Sequence, residues 1–247
     1  ASGKSGLAVK LAKKFGGEII SADSRQVYRG LDVGTGKITK WEMQGVKHYL
    51  LDVADPKKQF SVAEYKKLAE KKINKINFPI VVGGTGFYID VLAGLSNFPD
   101  VPPNKKLRNE LNKKSAIKLF RVLKKKDLRR AKTIDPNNKV RIIRALEIVD
   151  ALGRVPPIKP KLDKRFVFIG LKSDNLDKKI RTRLLKRLKP MIKECKRLHK
   201  NGLSWKRFYE LGLEYRYVGM YLEGKIEKKV MVEKLETAIR HYAKRQM

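Results

Sequence analysis

The sequence predicts an α/β fold in which a parallel β-sheet is flanked by helices and a helical domain is inserted into the chain. Three observations support this prediction. Short apolar segments that end in glycine or polar residues alternate with helical patterns over residues 1–96. A glycine-lysine-serine turn opens the first helical pattern, as in a phosphate-binding loop. A proline-rich boundary at residues 98–103 introduces a long basic stretch that lacks strand patterns.

The composition is typical of a globular protein with a sizeable core. The chain has 247 residues, of which 42% are hydrophobic, enough for one large domain or a domain with an insertion. It contains no apolar run of about eighteen residues, so no membrane span is expected. The single cysteine, Cys195, excludes an internal disulfide and a cysteine-based zinc site, and it favours a reducing compartment such as the cytoplasm.

The charge balance points to a polyanionic partner. Lys and Arg number 59 against 25 Asp and Glu, which gives a net charge of +34. Between residues 113 and 144 the chain carries basic side chains throughout, with only Asp127 and Asp135 as acidic residues. Such a stretch favours binding to nucleic acid that weakens as salt rises, although a solvated basic helix face gives the same pattern.

The first five residues, Ala1-Ser2-Gly3-Lys4-Ser5, match the second half of the phosphate-loop pattern G-x-x-x-x-G-K-[ST]. The opening glycine and the strand before it are absent, so we expect the chain to be part of a longer protein. Glycine lets several backbone N–H groups point at one anion, and the helix N-terminus adds partial positive charge. Lys4 is expected to contact phosphate oxygens, and Ser5 is expected to hold Mg²⁺. The core is therefore predicted to be P-loop NTPase-like.

Three strands are predicted in the first part of the core, at residues 18–21, 48–53 and 78–82. The first delivers Asp23, a candidate Mg²⁺ partner, general base or helix N-cap. The third ends in a glycine turn that carries Thr85 and leads into a helix through Leu92. Because the carboxyl ends of parallel strands meet at one edge of a sheet, we expect one crevice lined by several strand ends.

Helical patterns dominate the rest of the chain. A capping box, Ser61 with Glu64, opens a helix that runs to about Ile73. Residues 98–162 are assigned to a basic helical insertion with main helices at 115–126 and 139–152. Residues 1–97 and 163–247 are assigned to the catalytic core, with a buried strand at 166–171. The predicted helices that follow cover residues 176–198, 205–208, 217–222 and 228–244.

Seven segments, taken in order, resemble the motifs of the tRNA dimethylallyltransferase family, which prenylates N6 of the adenosine beside the anticodon. The resemblance spans essentially the whole chain. The segments are Ala1-Ser2-Gly3-Lys4-Ser5, Asp23-Ser24-Arg25-Gln26-Val27-Tyr28, Asp32-Val33-Gly34-Thr35-Gly36-Lys37, Gly83-Gly84-Thr85-Gly86-Phe87-Tyr88, Arg141-Ile142-Ile143-Arg144-Ala145-Leu146-Glu147, Leu213-Glu214-Tyr215-Arg216-Tyr217 and Tyr242-Ala243-Lys244-Arg245-Gln246.

The resemblance implies a prenyl transfer from dimethylallyl diphosphate to tRNA, carried out by a monomer that uses Mg²⁺ at Ser5. Asp23 corresponds to the general base, Thr85 to a position near the substrate base, and Arg183 to an arginine that clamps the diphosphate. These three residues form the implied catalytic set. The residues implied to bind the diphosphate are Ala1, Ser2, Gly3, Lys4, Ser5 and Arg183.

The resemblance also implies a set of RNA contacts, with the basic insertion gripping the anticodon stem. One member departs from the family pattern: Val140 stands where a polar glutamine is usual, and it cannot make the corresponding polar contact. The implied set is Asp23, Ser24, Arg25, Gln26, Thr85, Val140, Arg141, Ile142, Ile143, Arg144, Arg216, Tyr217, Gly219, Tyr221, Lys244, Arg245 and Gln246.

Three other functions share some of these features. A small-molecule P-loop kinase would use the same loop, Mg²⁺ and Asp23, but it would bind ATP and would not need the basic insertion. An adenylate isopentenyltransferase would prenylate a free nucleotide, which the basic stretch at 113–144 disfavours. An RNA-binding protein with a vestigial phosphate loop would bind tRNA without transferring a prenyl group.

Overall fold

A computed structural model describes residues 3–96, 98–157 and 160–246 of the protein. The chain divides into two compact units, unit 1 with residues 1–93 and 162–247, and unit 2 with residues 94–161. The expected diphosphate contacts of Ala1 and Ser2 lie outside the described residues. The assignment of 98–162 as a tRNA-contacting insertion domain stays a prediction.

Unit 1 contains a small parallel sheet and eight described helices. The strands are β1 (Glu18–Ser21), β2 (His48–Tyr49) and β3 (Pro79–Val82). In residues 1–93 the helices are α1 (Lys4–Phe15), α2 (Lys40–Met43), α3 (Val62–Ile73) and α4 (Gly86–Leu92). In residues 162–247 they are α9 (Leu176–Lys200), α10 (Trp205–Leu211), α11 (Leu213–Leu222) and α12 (Lys228–Lys244), and α5 to α8 belong to unit 2. Among the described residues the strand order is β2-β1-β3, and both pairings are parallel.

The order of the strands brings two loops together at one edge of the sheet. β1 pairs with β3 over its full length, with Ser21 opposite Val82. The segments that follow these two residues therefore leave the sheet side by side. The predicted strands at 18–21 and 78–82 are confirmed, although the β3 side chains are half-buried rather than fully buried.

The third predicted strand, residues 48–53, is shorter than expected. Only His48 and Tyr49 pair with β1. Leu50 and Asp52 have positive φ values of 62° and 56°, which ends the extended conformation. Apolar residues continue past this point at Leu51 and Val53, but the backbone turns, and Ala54 meets Tyr28 through an isolated bridge.

The buried strand predicted at 166–171 is wrong. Within the described residues this segment has no strand partner. Phe166 packs against the cluster around Tyr65 and Tyr88, but Val167, Phe168 and Ile169 are exposed. An apolar run forms a buried strand only when a sheet edge is available to pair with it. The segment pairs with neither edge strand of the described sheet, β2 or β3, so it has no regular secondary structure.

The helices after residue 175 form the largest apolar cluster of unit 1. Phe208, Tyr215 and Met191 are fully or almost fully buried in it, together with the only cysteine, Cys195. Burial raises the pKa of the Cys195 thiol far above its ordinary value, and Glu194 and Glu214 add to this rise. Hydrophobic burial of this kind is the main stabilising term for packed helices.

Unit 2 is helical in its described residues, with α5 (Lys105–Asn112), α6 (Ala116–Lys126), α7 (Leu128–Ala131) and α8 (Lys139–Leu152). Side-chain caps start each helix: Asn104, Ser115, Asp127 and Asn138 each accept a backbone N–H. The predicted helices at 115–126 and 139–152 are confirmed. Apolar residues from α6 and α8, including Leu119, Leu123 and Ile142, form the core.

The capping box predicted at Ser61 and Glu64 is confirmed at the start of α3. None of the described helices combines the length and the apolar character that crossing a membrane requires.

Candidate active site

The phosphate-loop residues lie at the N-terminus of α1. Gly3 occupies the cap position with φ 86°, a conformation that glycine adopts without strain. Its carbonyl accepts the first helical hydrogen bond, from Leu7 N at 3.1 Å. Lys4 and Ser5 follow in the first turn, where the helix dipole favours an anion. Burial lowers the pKa of the Lys4 ammonium, and the nearby Asp23 carboxylate opposes this shift.

The segment after β1 forms a tight turn around Asp23. Asp23 Oδ1 accepts the backbone N–H of Arg25 at 2.8 Å and that of Gln26 at 3.2 Å. This is the local hydrogen bonding by which aspartate stabilises a turn, and no helix begins there. The helix N-cap alternative for Asp23 is therefore wrong. The carboxylate is held in one orientation by the backbone N–H groups of Arg25 and Gln26.

The segment after β3 approaches the Asp23 turn closely. A Cβ on Gly83 would overlap the backbone of Ala22, so only glycine fits. The next residue but one, Thr85, accepts the Ser24 N–H at 2.9 Å through its hydroxyl oxygen and donates to Ser24 Oγ at 3.2 Å. Thr85 therefore joins the two strand ends. It is absent from the described lining of the cavity below.

Two arginines of α9 face the same region. Arg183 Nη2 donates to Gly36 O at 3.4 Å, and Arg187 Nη2 donates to Gly34 O at 3.2 Å. Arg187 also lies 3.4 Å from the Glu214 carboxylate of α11. Burial raises the pKa of Glu214, and the charge of Arg187 opposes that rise. Burial lowers the pKa of Arg187, which Glu214 partly offsets.

One cavity of about 520 Å³ joins these groups, and all of its described lining belongs to unit 1. Phosphate-loop residues, the Asp23 turn, the arginine pair and the end of α12 contribute to the wall. Apolar side chains from the sheet, α9 and α12 complete it. The polar lining residues that the chemistry below uses are Gly3, Lys4, Ser5, Asp23, Gln26, Arg183, Arg187 and Gln246.

Ser24 and Arg25, which were expected at the site, lie outside the described cavity wall and support the Asp23 turn. Arg25 donates through Nε to Leu211 O at 2.5 Å and through Nη1 to Ser24 O at 3.1 Å. These bonds hold the Asp23 turn against the end of α10. Neither Ser24 nor Arg25 is among the described residues that line the cavity.

The expected RNA contacts on α11 and α12 differ in exposure. Arg216 is exposed and donates to Tyr209 O at 2.9 and 3.1 Å. Tyr217 and Tyr221 are half-buried, and Lys244 and Arg245 are exposed. Gly219 is buried, and a Cβ there would lie 3.2 Å from Phe208 Cβ. This glycine allows two helices to pack closely, and an RNA contact at Gly219 stays a prediction.

The expected RNA contacts of unit 2 fall into two groups. Val140 is 78% exposed and Arg141 is exposed, both in the first turn of α8. Ile142 and Ile143 are buried in the unit 2 core. Because α8 turns these two side chains inward, they serve the core, and an RNA contact at either position stays a prediction. Arg144 donates to Glu147 and to Val101 O at 2.8 Å and is half-buried.

Arg187, Tyr242 and Glu214 are among the cavity-lining residues that were not predicted as site residues. Arg187 lies one helical turn after Arg183, so the i, i+4 spacing on α9 was a usable signal. Tyr242 belongs to the last motif, and its hydroxyl donates to Gly84 O at 2.8 Å. Glu214 belongs to the sixth motif, but its place beside Arg187 depends on how α11 packs on α9.

Comparisons with known proteins show the family of the chain. The IPP transferase family profile matches residues 26–247. The tRNA dimethylallyltransferase of Thermoanaerobacter sp. (strain X514) is 41% identical over 268 residues, covering 100% of this chain and 84% of that protein. The tRNA dimethylallyltransferase 2 of Treponema denticola is 41% identical over 259 residues, covering 100% of this chain and 87% of that protein.

Two solved structures are similar to the fold. The tRNA isopentenylpyrophosphate transferase from Bacillus halodurans superposes with a TM-score of 0.71 at 37% identity, covering 100% of this chain and 82% of that one. A eukaryotic dimethylallyltransferase acting on tRNA has a TM-score of 0.82 at 26% identity, covering 100% of this chain and 66% of that one. From the profile match and these identities, the chain belongs to the IPP transferase family, together with the tRNA dimethylallyltransferases.

Proposed function

We propose that the protein transfers a dimethylallyl group from dimethylallyl diphosphate to N6 of the adenosine adjacent to the anticodon of tRNA, position 37. The product is N6-isopentenyladenosine and the by-product is diphosphate. One observation supports this most directly: the phosphate-loop residues Gly3, Lys4 and Ser5 line the same cavity as Asp23. One cavity can therefore bind the diphosphate leaving group and supply the proton acceptor for the attacking amine.

The reaction needs a base at the attacking nitrogen. The N6 lone pair forms a bond to C1 of the dimethylallyl group while the C1–O bond breaks, and its electron pair leaves with the diphosphate. The N6 proton passes to Asp23. Because Oδ1 is occupied by two backbone N–H groups, and the described hydrogen bonds of the turn leave Oδ2 unused, we assign Oδ2 as the proton acceptor.

The leaving group gains negative charge as the C1–O bond breaks. Lys4 and Arg183 line the cavity and supply fixed positive charge, and the α1 N-terminus adds oriented N–H groups. A planar guanidinium suits two phosphate oxygens at once. Groups that are already oriented before the reaction lower the barrier, because they need no rearrangement when the charge develops.

Mg²⁺ fits this cavity if the ion is held by protein oxygens and the diphosphate together. The described residues contain no cluster of three or more His, Cys, Asp or Glu side chains that would hold an ion by themselves. Ser5 lines the cavity and is exposed, with the Asp23 carboxylate in the same wall. Mg²⁺ is commonly held by one or two protein oxygens together with substrate phosphates. Bound at Ser5, it would neutralise charge on the leaving diphosphate.

The tRNA would present an adenine that has left its stack, which costs a few kcal/mol. Gln26 lines the cavity near Asp23 and offers an amide for the base edge. We assign the phosphate contacts of the anticodon stem to the exposed basic residues of unit 2, because α6 ends in Lys124, Lys125 and Lys126. Since one chain supplies the whole described cavity wall, we expect a monomer to be active.

The decisive experiment supplies the protein with unmodified tRNA, Mg²⁺ and dimethylallyl diphosphate labelled in the prenyl group. We expect label in the tRNA, recovered as N6-isopentenyladenosine after nuclease digestion, and none in tRNA with guanosine at position 37. Parallel reactions with γ-labelled ATP test a kinase, and those with AMP as acceptor test an adenylate isopentenyltransferase. Label in AMP but not in tRNA, or phosphate transfer from ATP, would replace the proposal with the corresponding alternative.

A further inference from the structure

Glu194 is an unusual residue for its helix. α9 is rich in lysine and arginine, and its only acidic residues are Asp177 near its start and Glu194. The Glu194 side chain faces the interior, and the residue is only 5% exposed. A buried carboxylate is costly unless several donors satisfy it, so its surroundings should explain why it is there.

Four donors converge on this carboxylate. Oε2 accepts the backbone N–H groups of Asp32 at 2.9 Å and Val33 at 2.7 Å. Oε1 accepts the N–H of Gly34 at 3.0 Å and the Tyr215 hydroxyl at 2.8 Å. Three successive backbone N–H groups that point to one anion form the arrangement called a nest. Here the anion is a side chain of the protein itself, so the nest holds the loop.

The loop that Glu194 holds, residues 30–37, forms part of the cavity wall through Thr35 and Gly36. Its carbonyls at Gly34 and Gly36 are the acceptors of Arg187 and Arg183. The loop is also fixed at its end, where the Lys37 ammonium donates to Tyr28 O at 3.0 Å and to Asp32 Oδ1 at 2.7 Å. Glu194 and the two arginines therefore bind the same short stretch of backbone, Glu194 through its N–H groups and the arginines through its carbonyls.

The fit between loop and arginines is close. Gly36 has φ 60°, and a Cβ there would overlap the guanidinium groups of both Arg187 and Arg183. A Cβ on Gly34 would lie 2.6 Å from the Tyr215 hydroxyl oxygen. A small displacement of the loop would thus move both guanidinium groups, because both donate to its carbonyls and lie where a Cβ on Gly36 would stand.

We infer that Glu194 is a positioning residue for the diphosphate leaving group: through the loop at 30–37 it orients Arg183 and Arg187 toward the cavity. This inference rests on the proposed prenyl transfer. Glu194 itself does not line the described cavity, so its effect is indirect. Its role would be felt in the transition state, where correctly oriented guanidinium groups stabilise the developing charge.

The test replaces Glu194 with glutamine, whose NH₂ group would face donors that need an acceptor. We expect kcat for prenyl transfer to fall tenfold to a hundredfold, with weaker binding of inorganic pyrophosphate by calorimetry and tRNA affinity within twofold of wild type. Tyr215→Phe removes one of the four donors and should give a smaller loss of the same kind. It also provides a result if the Glu194→Gln protein does not fold.

Glu236→Gln is the matched control. Glu236 is also buried in unit 1, at 6% exposure, and it binds Arg181 at 2.8 Å and Arg240 at 2.6 Å, away from the loop. This variant should lower the melting temperature but leave kcat and pyrophosphate affinity within twofold. An equal loss of kcat in both variants would show that Glu194 has only a stabilising role, and it would overturn the inference.

A double-mutant cycle separates an indirect action from a direct one. In a background of Arg183→Ala with Arg187→Ala, Glu194→Gln should reduce the residual transfer by less than about threefold. Full additivity would overturn the inference. If the wild-type protein transfers no label to tRNA, the proposed function fails, whereas normal wild-type transfer with an unaffected Glu194→Gln variant removes only the role of Glu194.

Discussion

The amino group of Lys4, in the first turn of the first helix, donates a hydrogen bond of 3.0 Å to Oε1 of Gln246, near the end of α12. The amide of Gln246 in turn donates to Gly84 O at 2.9 Å, and the Tyr242 hydroxyl donates to the same carbonyl at 2.8 Å. The end of α12 therefore links the phosphate loop to the loop after β3. Residues from both termini of the described chain build one wall of the cavity.

This link predicts a defect in donor binding when the end of α12 is altered. The double variant Tyr242→Phe with Gln246→Ala leaves Gly84 O without either donor and removes an acceptor of Lys4. The two hydrogen bonds lost at Gly84 O, at about 1 kcal/mol each, correspond to a roughly tenfold to thirtyfold rise in KM for dimethylallyl diphosphate. Steady-state kinetics with tRNA held at saturation would measure it. Lys229→Ala, exposed in the first turn of α12, serves as the control and should keep the wild-type KM.

Asp23→Asn should abolish most of the prenyl transfer while tRNA binding stays nearly unchanged. Asparagine can still accept the backbone N–H groups of Arg25 and Gln26, so the turn is preserved and only the proton acceptor is lost. General base catalysis contributes about 10²-fold to 10⁴-fold, and we expect a loss of kcat in that range. Single-turnover transfer and filter binding with the same tRNA measure the two quantities. Residual activity close to wild type would exclude Asp23 as the base.

Unit 2 should lose stability in acid because of Glu147. Its carboxylate is fully buried and accepts hydrogen bonds from Arg108 at 2.6 and 2.7 Å and from Asn104 N at 2.8 Å. Burial raises the pKa of Glu147, but these bonds and that of Arg144 outweigh it, so the pKa lies below 4.5. A lowered folded pKa stabilises the unit above pH 4.5, and this contribution is lost as the pH falls through the folded pKa.

Hydrogen exchange of the α8 amides between about pH 6 and pH 3 measures this loss. Glu147→Gln should remove the pH dependence and cost on the order of 2 kcal/mol near neutral pH, because the two arginines left behind are one third exposed. Glu110→Gln changes an exposed carboxylate of the same unit and should behave as wild type. Equal acid sensitivity in the Glu147→Gln protein would contradict the assignment.

The lysines at the end of α6 should contribute to tRNA affinity by neutralising phosphates. Replacing Lys124, Lys125 and Lys126 with glutamine should weaken tRNA binding and flatten the plot of log affinity against log salt concentration, by about 0.9 for each phosphate that is no longer neutralised. The control replaces Lys67, Lys71 and Lys75, which are exposed on and just after α3 in unit 1. A salt slope that changes equally in both variants would mean that the α6 lysines are only a solvated basic face.

Features that depend on neighbouring residues in the chain were predictable. The capping box at Ser61 and Glu64, the glycine at the start of α1 and the two strands ending at Ser21 and Val82 all follow from local patterns. Features that depend on packing were not. The carboxylates of Glu194 and Glu214 gain their partners only when α9, α11 and the loop at 30–37 come together.

Two errors have the same physical origin. The apolar pattern at 166–171 carries no information about whether a strand lies beside it, and that at 48–53 does not show where the backbone turns. The buried positions of Ile142, Ile143 and Gly219 likewise depend on which face of a helix meets its neighbours. Motif resemblance identifies positions near a substrate, but it does not separate the side chains that touch the substrate from those that support the framework.

The sealed environment of Cys195 makes the protein suitable for site-specific labelling. Because the only native thiol is fully buried and remains protonated at ordinary pH, maleimides and iodoacetamides should leave the folded wild-type chain unmodified. A cysteine introduced at an exposed position, such as Val140, would then be the single reactive group. A fluorophore attached there would test the proposed RNA contact of α8 without first removing a native residue from the core.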